Sequence, residues 1–156
     1  MTTLTADDIN QSISGTRDRY EALVRSLTNE QLISKVHDGD GGWTTMQLLA
    51  HLAAMEVFFD RCVRRAGGET LPPVDPDAIN VMKLAEREGR SVDDLLAEYR
   101  TSTDALMQRV SALPTGDLER ELQLGPEAMS GGALIRMMGS GHTEGHMREI
   151  ESAFGQ

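Results

Sequence analysis

At 156 residues the chain is long enough for one domain with a real core, spanning 1–156, and too short to expect two. Its 39% hydrophobic and 26% charged residues are ordinary for a soluble globular protein, no apolar run approaches the roughly 20 residues of a membrane span, and the polar start MTTLTADDIN has no signal-peptide core; a cytoplasmic protein is expected. The net charge of −10 argues against general nucleic-acid binding, which needs clustered lysine and arginine.

The first segment, TADDINQSISGTRDRYEALVRSLT, places Ile9, Ile13, Tyr20, Leu23, Val24 and Leu27 on one helical stripe, with Thr5 and Asp8 as an N-cap pair. NEQLISKVHDGDGG reads as a short helical turn and a Gly/Asp loop. Thr44 and Gln47 then form a T-x-x-Q capping box that opens a second helix, TMQLLAHLAAMEVFFDRCVRRAGG, stopped by Gly67 and Gly68. Its three arginines suit a helix C-terminus, where cations meet the negative end of the dipole. The single cysteine, Cys62, excludes an internal disulfide and a Cys-rich zinc ribbon, and is expected to be a small buried hydrophobe.

ETLPPVDPDAINVMKLAEREG begins as a proline-rich linker and ends in a short helix. Ser91 and Asp94 open a third long helix, to about Leu113, with Leu95, Leu96, Tyr99, Leu106, Met107 and Val110 inward. Pro114 and Pro126 bracket a connection. The fourth helix starts near Ser130 and carries Leu134, Ile135, Met138 and Ile150. No segment alternates like a strand, so the chain is all-α: a four-helix bundle. The long connection between helices 2 and 3 can cross the bundle and make parallel neighbours of them.

Three of the four histidines fall on inward stripes. His51 lies beside Leu48, Leu52 and Met55, while His142 and His146 continue the four-residue steps of Leu134 and Met138. An i, i+4 pair is separated by only about 40° and about 6 Å, so both rings can reach one point and a third can join from a facing helix. A lone core histidine bonded to a carbonyl is commoner than a ligand. Burying three unpaired imidazoles together is costly, however, and a shared cation removes that cost. His37, in the Gly/Asp loop, is expected on the surface.

HTEGH differs by one letter from the H-E-x-x-H of zinc proteases. Glu144 sits two residues from both histidines, so about 200° of rotation turns it to the opposite face, and it cannot act on water between them. A ferritin-like di-iron centre fails as well, because no Glu-x-x-His occurs in the chain.

GWTTMQLLAHLAAME together with GHTEGHMREIESA resembles the DinB/YfiT-like superfamily of metalloenzymes. Trp43, Thr44, His51 and Leu52 match its first motif, and His142, His146 and Ile150 match its H-x-x-x-H-x-x-Q-I motif; Glu149 stands where the family often has Gln. The resemblance implies a bundle with helices 2 and 4 adjacent, a divalent metal on the three histidines (zinc or nickel first, then iron or manganese), and frequent homodimers. Its characterised relatives are thiol-dependent transferases, a mycothiol-dependent maleylpyruvate isomerase and proteins that protect against reactive electrophiles. That isomerase carries an extra C-terminal domain, and the end of this chain ten residues after His146 speaks against its activity.

Three neutral ligands leave a cation its full charge and an open position. A thiol or a water there ionises near neutral pH. The leading expectation is therefore a metal-dependent transferase joining a low-molecular-weight thiol to a small electrophile, with a hydrolase, or a non-enzymatic metal staple or binding protein, as the rivals. Gly139, Gly141 and Gly145 weaken helix 4 by roughly 1 kcal/mol each against alanine. They serve either close helix approach and substrate access or nothing.

Overall fold

A computed structural model describes residues 3–37 and 42–155. Helix α1 (Ala6–Ser26) opens with a complete capping box, Thr5 Oγ1 accepting from the Asp8 amide and Asp8 from the Thr5 amide. Its expected stripe is buried at Ile9, Ile13, Tyr20, Val24 and Leu27, with Leu23 half-buried. The short α2 (Asn29–Ile33) follows. The Gly/Asp loop expected next falls on 38–41, outside the described residues; its flanks pair through a Lys35–Thr44 bridge and a bond from the Val36 amide to the Trp43 carbonyl, 2.9 Å.

The Thr44–Gln47 capping box forms as expected. The helix it opens is nevertheless two segments, α3 (Thr45–Ala53) and α4 (Glu56–Ala66), where the sequence predicts one. At Ala54 the backbone leaves helical ψ, and its amide reaches back to the Ala50 and His51 carbonyls at 3.2 and 3.1 Å. Neither Gly nor Pro stands there. Ala53, Ala54 and Met55 are all buried, so the surrounding core imposes the bend.

The linker leads to α5 (Pro76–Glu86), capped by Asp75, and then to α6 (Val92–Ala112), capped by Ser91. The all-α bundle stands, but the connection after Pro114 holds a short hairpin where the sequence predicts no strand. After α7 (Thr115–Glu119), strands β1 (Glu121–Leu124) and β2 (Glu127–Ser130) pair antiparallel, Leu122 against Met129. Gly125 takes φ 66° and Pro126 follows it in the two-residue loop. A proline in second place suits a type II′ turn and forbids a type I′ turn, which needs positive φ there.

The fourth helix is α8 (Gly131–Arg136), a π-helical turn (Met137–Gly141) and α9 (His142–Phe154). The π turn is where Gly139 meets α1 and α6: a Cβ there would lie 2.9 Å from Ile13 Cδ1 and 3.0 Å from Leu106 Cδ2. Close approach therefore explains Gly139. Gly141 and Gly145 have open space at the same position, their nearest atoms 4.0 Å away, so packing asks for neither.

Four rods make the bundle: α1, α3 with α4, α6, and α8 with α9. Side-chain contacts fix their directions. Asn10 reaches Ser111 and Arg25 reaches Asp93, so α1 and α6 run antiparallel. Ser12 meets Ser140 and Thr16 meets Glu144, so α1 and the fourth rod run parallel. Asp60 pairs with Arg109, and Ala53 and Phe59 line a groove with Ser102 and Leu106, so the second and third rods are parallel neighbours. The long connection carrying α5 makes that possible. The second rod also packs on the fourth, α4 on α8 and α3 on α9. That neighbour relation brings His51 to the other two histidines.

Candidate metal centre

Each ring is placed by an ordinary helical device. His51 sits in the last turn of α3, buried, with the Trp43 ring stacked obliquely on it at 5.0 Å between centroids. Asn80, from the crossover helix α5, lies beside it and favours its protonated form, against the larger effect of burial. His142 and His146 both follow the π turn, so their i, i+4 relation survives it. Thr143, beside His142, is tied to the third rod by a 3.0 Å hydrogen bond with the Tyr99 hydroxyl.

The three Nε2 atoms converge. His51 Nε2 lies 2.8 Å from His142 Nε2, which lies 3.2 Å from His146 Nε2, and one nitrogen of each ring lies within 4.8 Å of the others. A tetrahedral zinc with Zn–N of about 2.0–2.1 Å holds its ligand nitrogens about 3.3 Å apart, close to the 3.2 Å between His142 and His146 and somewhat wider than the 2.8 Å between His51 and His142. On the far side of His146, Nδ1 is 2.7 Å from Glu149 Oε2. A carboxylate only accepts, so Nδ1 carries the hydrogen, and Nε2 is the nitrogen turned toward the other two rings. One hydrogen on His142 Nε2 cannot point along both of its short contacts. A cation would take all three lone pairs at once, and the Glu149–His146 pair is the carboxylate backing that metal-ligating histidines usually have. The residues fit a divalent metal.

The electrostatics agree. Burial, then the neighbouring imidazoles, push His51 down to about 4; burial, then His146, does the same to His142. At neutral pH both rings are uncharged, as ligands must be. For Glu149 burial acts upward, but the hydrogen bond and charge of His146, with help from His37, prevail and lower its pKa.

His51, His142 and His146 are thus brought together as the sequence predicts. His37 is exposed as expected, yet its Nε2 lies 3.4 Å from Glu149 Oε2, at the edge of the same cluster. Glu144 faces away, accepting from Thr16 and Arg19 on the α1 side. Cys62 is buried on α4, its thiol pushed up to about 11 by burial. Glu149 has no role expected from the sequence, although its position three residues after His146, one helical turn on, is a usable signal. Asn80 gave no signal, since its place depends on how the crossover helix docks.

Fold and site together define a four-helix bundle with a three-histidine centre able to hold a metal ion at the junction of its second and fourth rods. The model of the DinB superfamily matches residues 12–150, and the chain belongs to that family. The structure is similar to that of the mycothiol-dependent maleylpyruvate isomerase (TM-score 0.72, 19% identity, 96% of this chain and 63% of that one). It is also similar to YfiT from Bacillus subtilis, described as a probable metal-dependent hydrolase with an unusual four-helix bundle topology (TM-score 0.65, 19% identity, 99% and 90%). The chain therefore spans less than two thirds of the isomerase. No curated protein matches the sequence. Among the described residues, no helix is long and apolar enough to cross a membrane.

Proposed function

We propose that this protein is a metal-dependent enzyme that joins a low-molecular-weight thiol to a small electrophile, with His51, His142 and His146 holding the metal. The observation that carries the reading is the convergence of three Nε2 atoms with Glu149 behind one of the rings. When bound, a divalent cation (zinc or nickel, or else iron or manganese) supplies a Lewis-acid position at which a thiol or water gives up its proton near neutral pH. The chain's own residues do the rest. Glu149 keeps the Nδ1 hydrogen on His146, Asn80 lies beside His51, and the Trp43 ring covers one side of His51 against solvent. Cys62, with its raised pKa and its place on α4 beyond the bend, is not the nucleophile.

The similarity to the mycothiol-dependent isomerase supports thiol chemistry. YfiT, which this chain covers over nine tenths of its length, favours a second reading, hydrolysis of a small molecule. One assay separates them. Metal-loaded protein is incubated with a reactive electrophile and a panel of biological thiols; a transferase gives conjugate with saturation in thiol, and neither apo protein nor His146→Ala does. A hydrolase consumes substrate without thiol and is inhibited by it, and a structural metal gives neither result. The cytoplasmic setting and the homodimer belong to the same reading; light scattering at micromolar concentration checks the dimer.

A further inference from the structure

The crossover helix α5 has its polarity reversed. At about 100° per residue, Ala78, Val81, Met82 and Ala85 share one face, and Asn80, Lys83 and Leu84 share the opposite one, which the cap residue Arg87 continues. That second face is turned to the bundle. The Lys83 and Arg87 side chains are only 17% and 6% exposed, Lys83 beside Glu56 of α4 and Arg87 paired with Glu98 of α6. The wholly apolar face is turned to solvent, with Val81 71% and Met82 51% exposed. A surface helix of a globular protein normally does the reverse. Nor is any residue from Pro76 to Glu86 buried, and an isolated helix of this length is marginal in water. The apolar region extends past the helix. Val74 stands just before its cap, and Leu84 and Ala85 line a groove of about 470 Å³ with Met46, Ala50 and the exposed Ile33. Four of the five exposed large hydrophobic side chains among the described residues thus lie on or beside α5.

We propose that the outer face of α5 binds a second copy of this chain, α5 packing antiparallel on α5 about a twofold axis that passes between Val81 and Met82. A twofold interface must pair one patch with itself, and this stripe does so. Val81 meets the partner's Met82, and Ala78 meets the partner's Ala85, so large side chains fill the centre while small ones at both ends let the helices approach. A partner of another kind has no need of such a palindrome. Val74, Val81, Met82 and Ile33 together offer apolar surface on the order of 400 Å², around half of the roughly 800 Å² that a standard interface covers on each partner. That is the share expected of an apolar centre within a polar rim. An anionic membrane does not suit this face, because Asp75, Asp77, Glu86 and Glu88 stand around it in a chain of net charge −10. The inference gives the proposed homodimer its interface and is independent of the metal reading, since no residue of the stripe belongs to the histidine centre.

The test follows the full chain by sedimentation across the micromolar range, where the parent is expected at twice its 17.1 kDa. Val81→Glu/Met82→Glu places four like charges at the axis and should weaken the dimer by about a hundredfold or more. Both side chains are solvent-exposed in the single copy, so the variant should keep the parent's circular dichroism. Ala78→Cys/Ala85→Cys reads the register. Within one chain these positions are seven residues, about 10 Å, apart along the helix, beyond disulfide reach, whereas across the axis they face each other. Oxidation should close a covalent dimer in the double variant and in neither single variant; Cys62 is buried and takes no part. A parent that stays monomeric, or a dimer that survives Val81→Glu/Met82→Glu, overturns the surface. A dimer abolished by the glutamates without a cross-link in the cysteine pair, or single-cysteine variants that cross-link as fully as the double, overturns the antiparallel pairing. A monomeric parent that still carries metal removes the homodimer and leaves the histidine centre standing.

Discussion

Acid should destabilise the metal-free protein at pH values where its carboxylates are still silent. His51 and His142 are held at about 4 in the fold, against about 6.5 in an unfolded chain. As the pH falls through 6.5 the unfolded state takes up protons that the folded state refuses, so native stability declines until about pH 4 and then levels for these groups. A depression of that size is worth on the order of 3 kcal/mol per ring. Two rings then remove a large part of a typical 5–15 kcal/mol. The lowered carboxylates contribute in the same sense. Asp8, held by hydrogen bonds from Thr5, and Glu21 and Asp60, held by bonds to arginines against a smaller effect of burial, lose stability only as pH falls through their still lower folded values. Urea unfolding of chelator-treated protein between pH 7.5 and 4.5 therefore isolates the histidines. The free energy should drop by several kcal/mol across that window, and His51→Gln/His142→Gln should flatten the slope. A parent protein whose stability is level from pH 7.5 to 4.5, or a double variant with the same slope, would refute the assignment of two buried neutral imidazoles.

Other outcomes follow from single contacts. Glu149→Leu removes the acceptor behind His146 and should weaken metal binding by about 10–100-fold in a competition titration, whereas Glu149→Gln, which keeps an acceptor, should stay much nearer the parent. Glu144→Gln, on the α1 side, should leave metal content unchanged; a hundredfold loss of activity, the scale of a general base, would contradict that placement. Gly139→Ala should destabilise by about 1–3 kcal/mol through overpacking against Ile13 and Leu106. Gly141→Ala should stabilise by up to about 1 kcal/mol in the same thermal or urea assay, because its Cβ meets open space.

Much of this molecule is legible from the chain because helix signals are local. Thr5, Thr44 and Ser91 each mark a helix start, and apolar spacing picks the buried faces. The triad follows from the same spacing, since His142 and His146 keep one phase and His51 shares a stripe with Leu48 and Leu52. What escapes the reading is set by tertiary contact. The bend at Ala54 has no breaker residue and arises where the second rod is wholly buried. The π turn answers the tight meeting of Gly139 with two other rods. The hairpin is built from four-residue strands rich in Glu, Gln and Ala, which lack β propensity, and holds to the bundle through Leu122, Leu124 and Met129. Asn80 reaches His51 only because the crossover helix lies against α3.

The central claim, that His51, His142 and His146 act as one metal-binding unit, is tested most directly by elemental analysis of protein purified without an affinity tag. The parent chain and His37→Ala should carry close to stoichiometric divalent metal. His51→Ala, His142→Ala and His146→Ala should each lose most of it while remaining folded by circular dichroism. Full metal occupancy in folded His51→Ala would contradict the convergence of the three rings on a single ion.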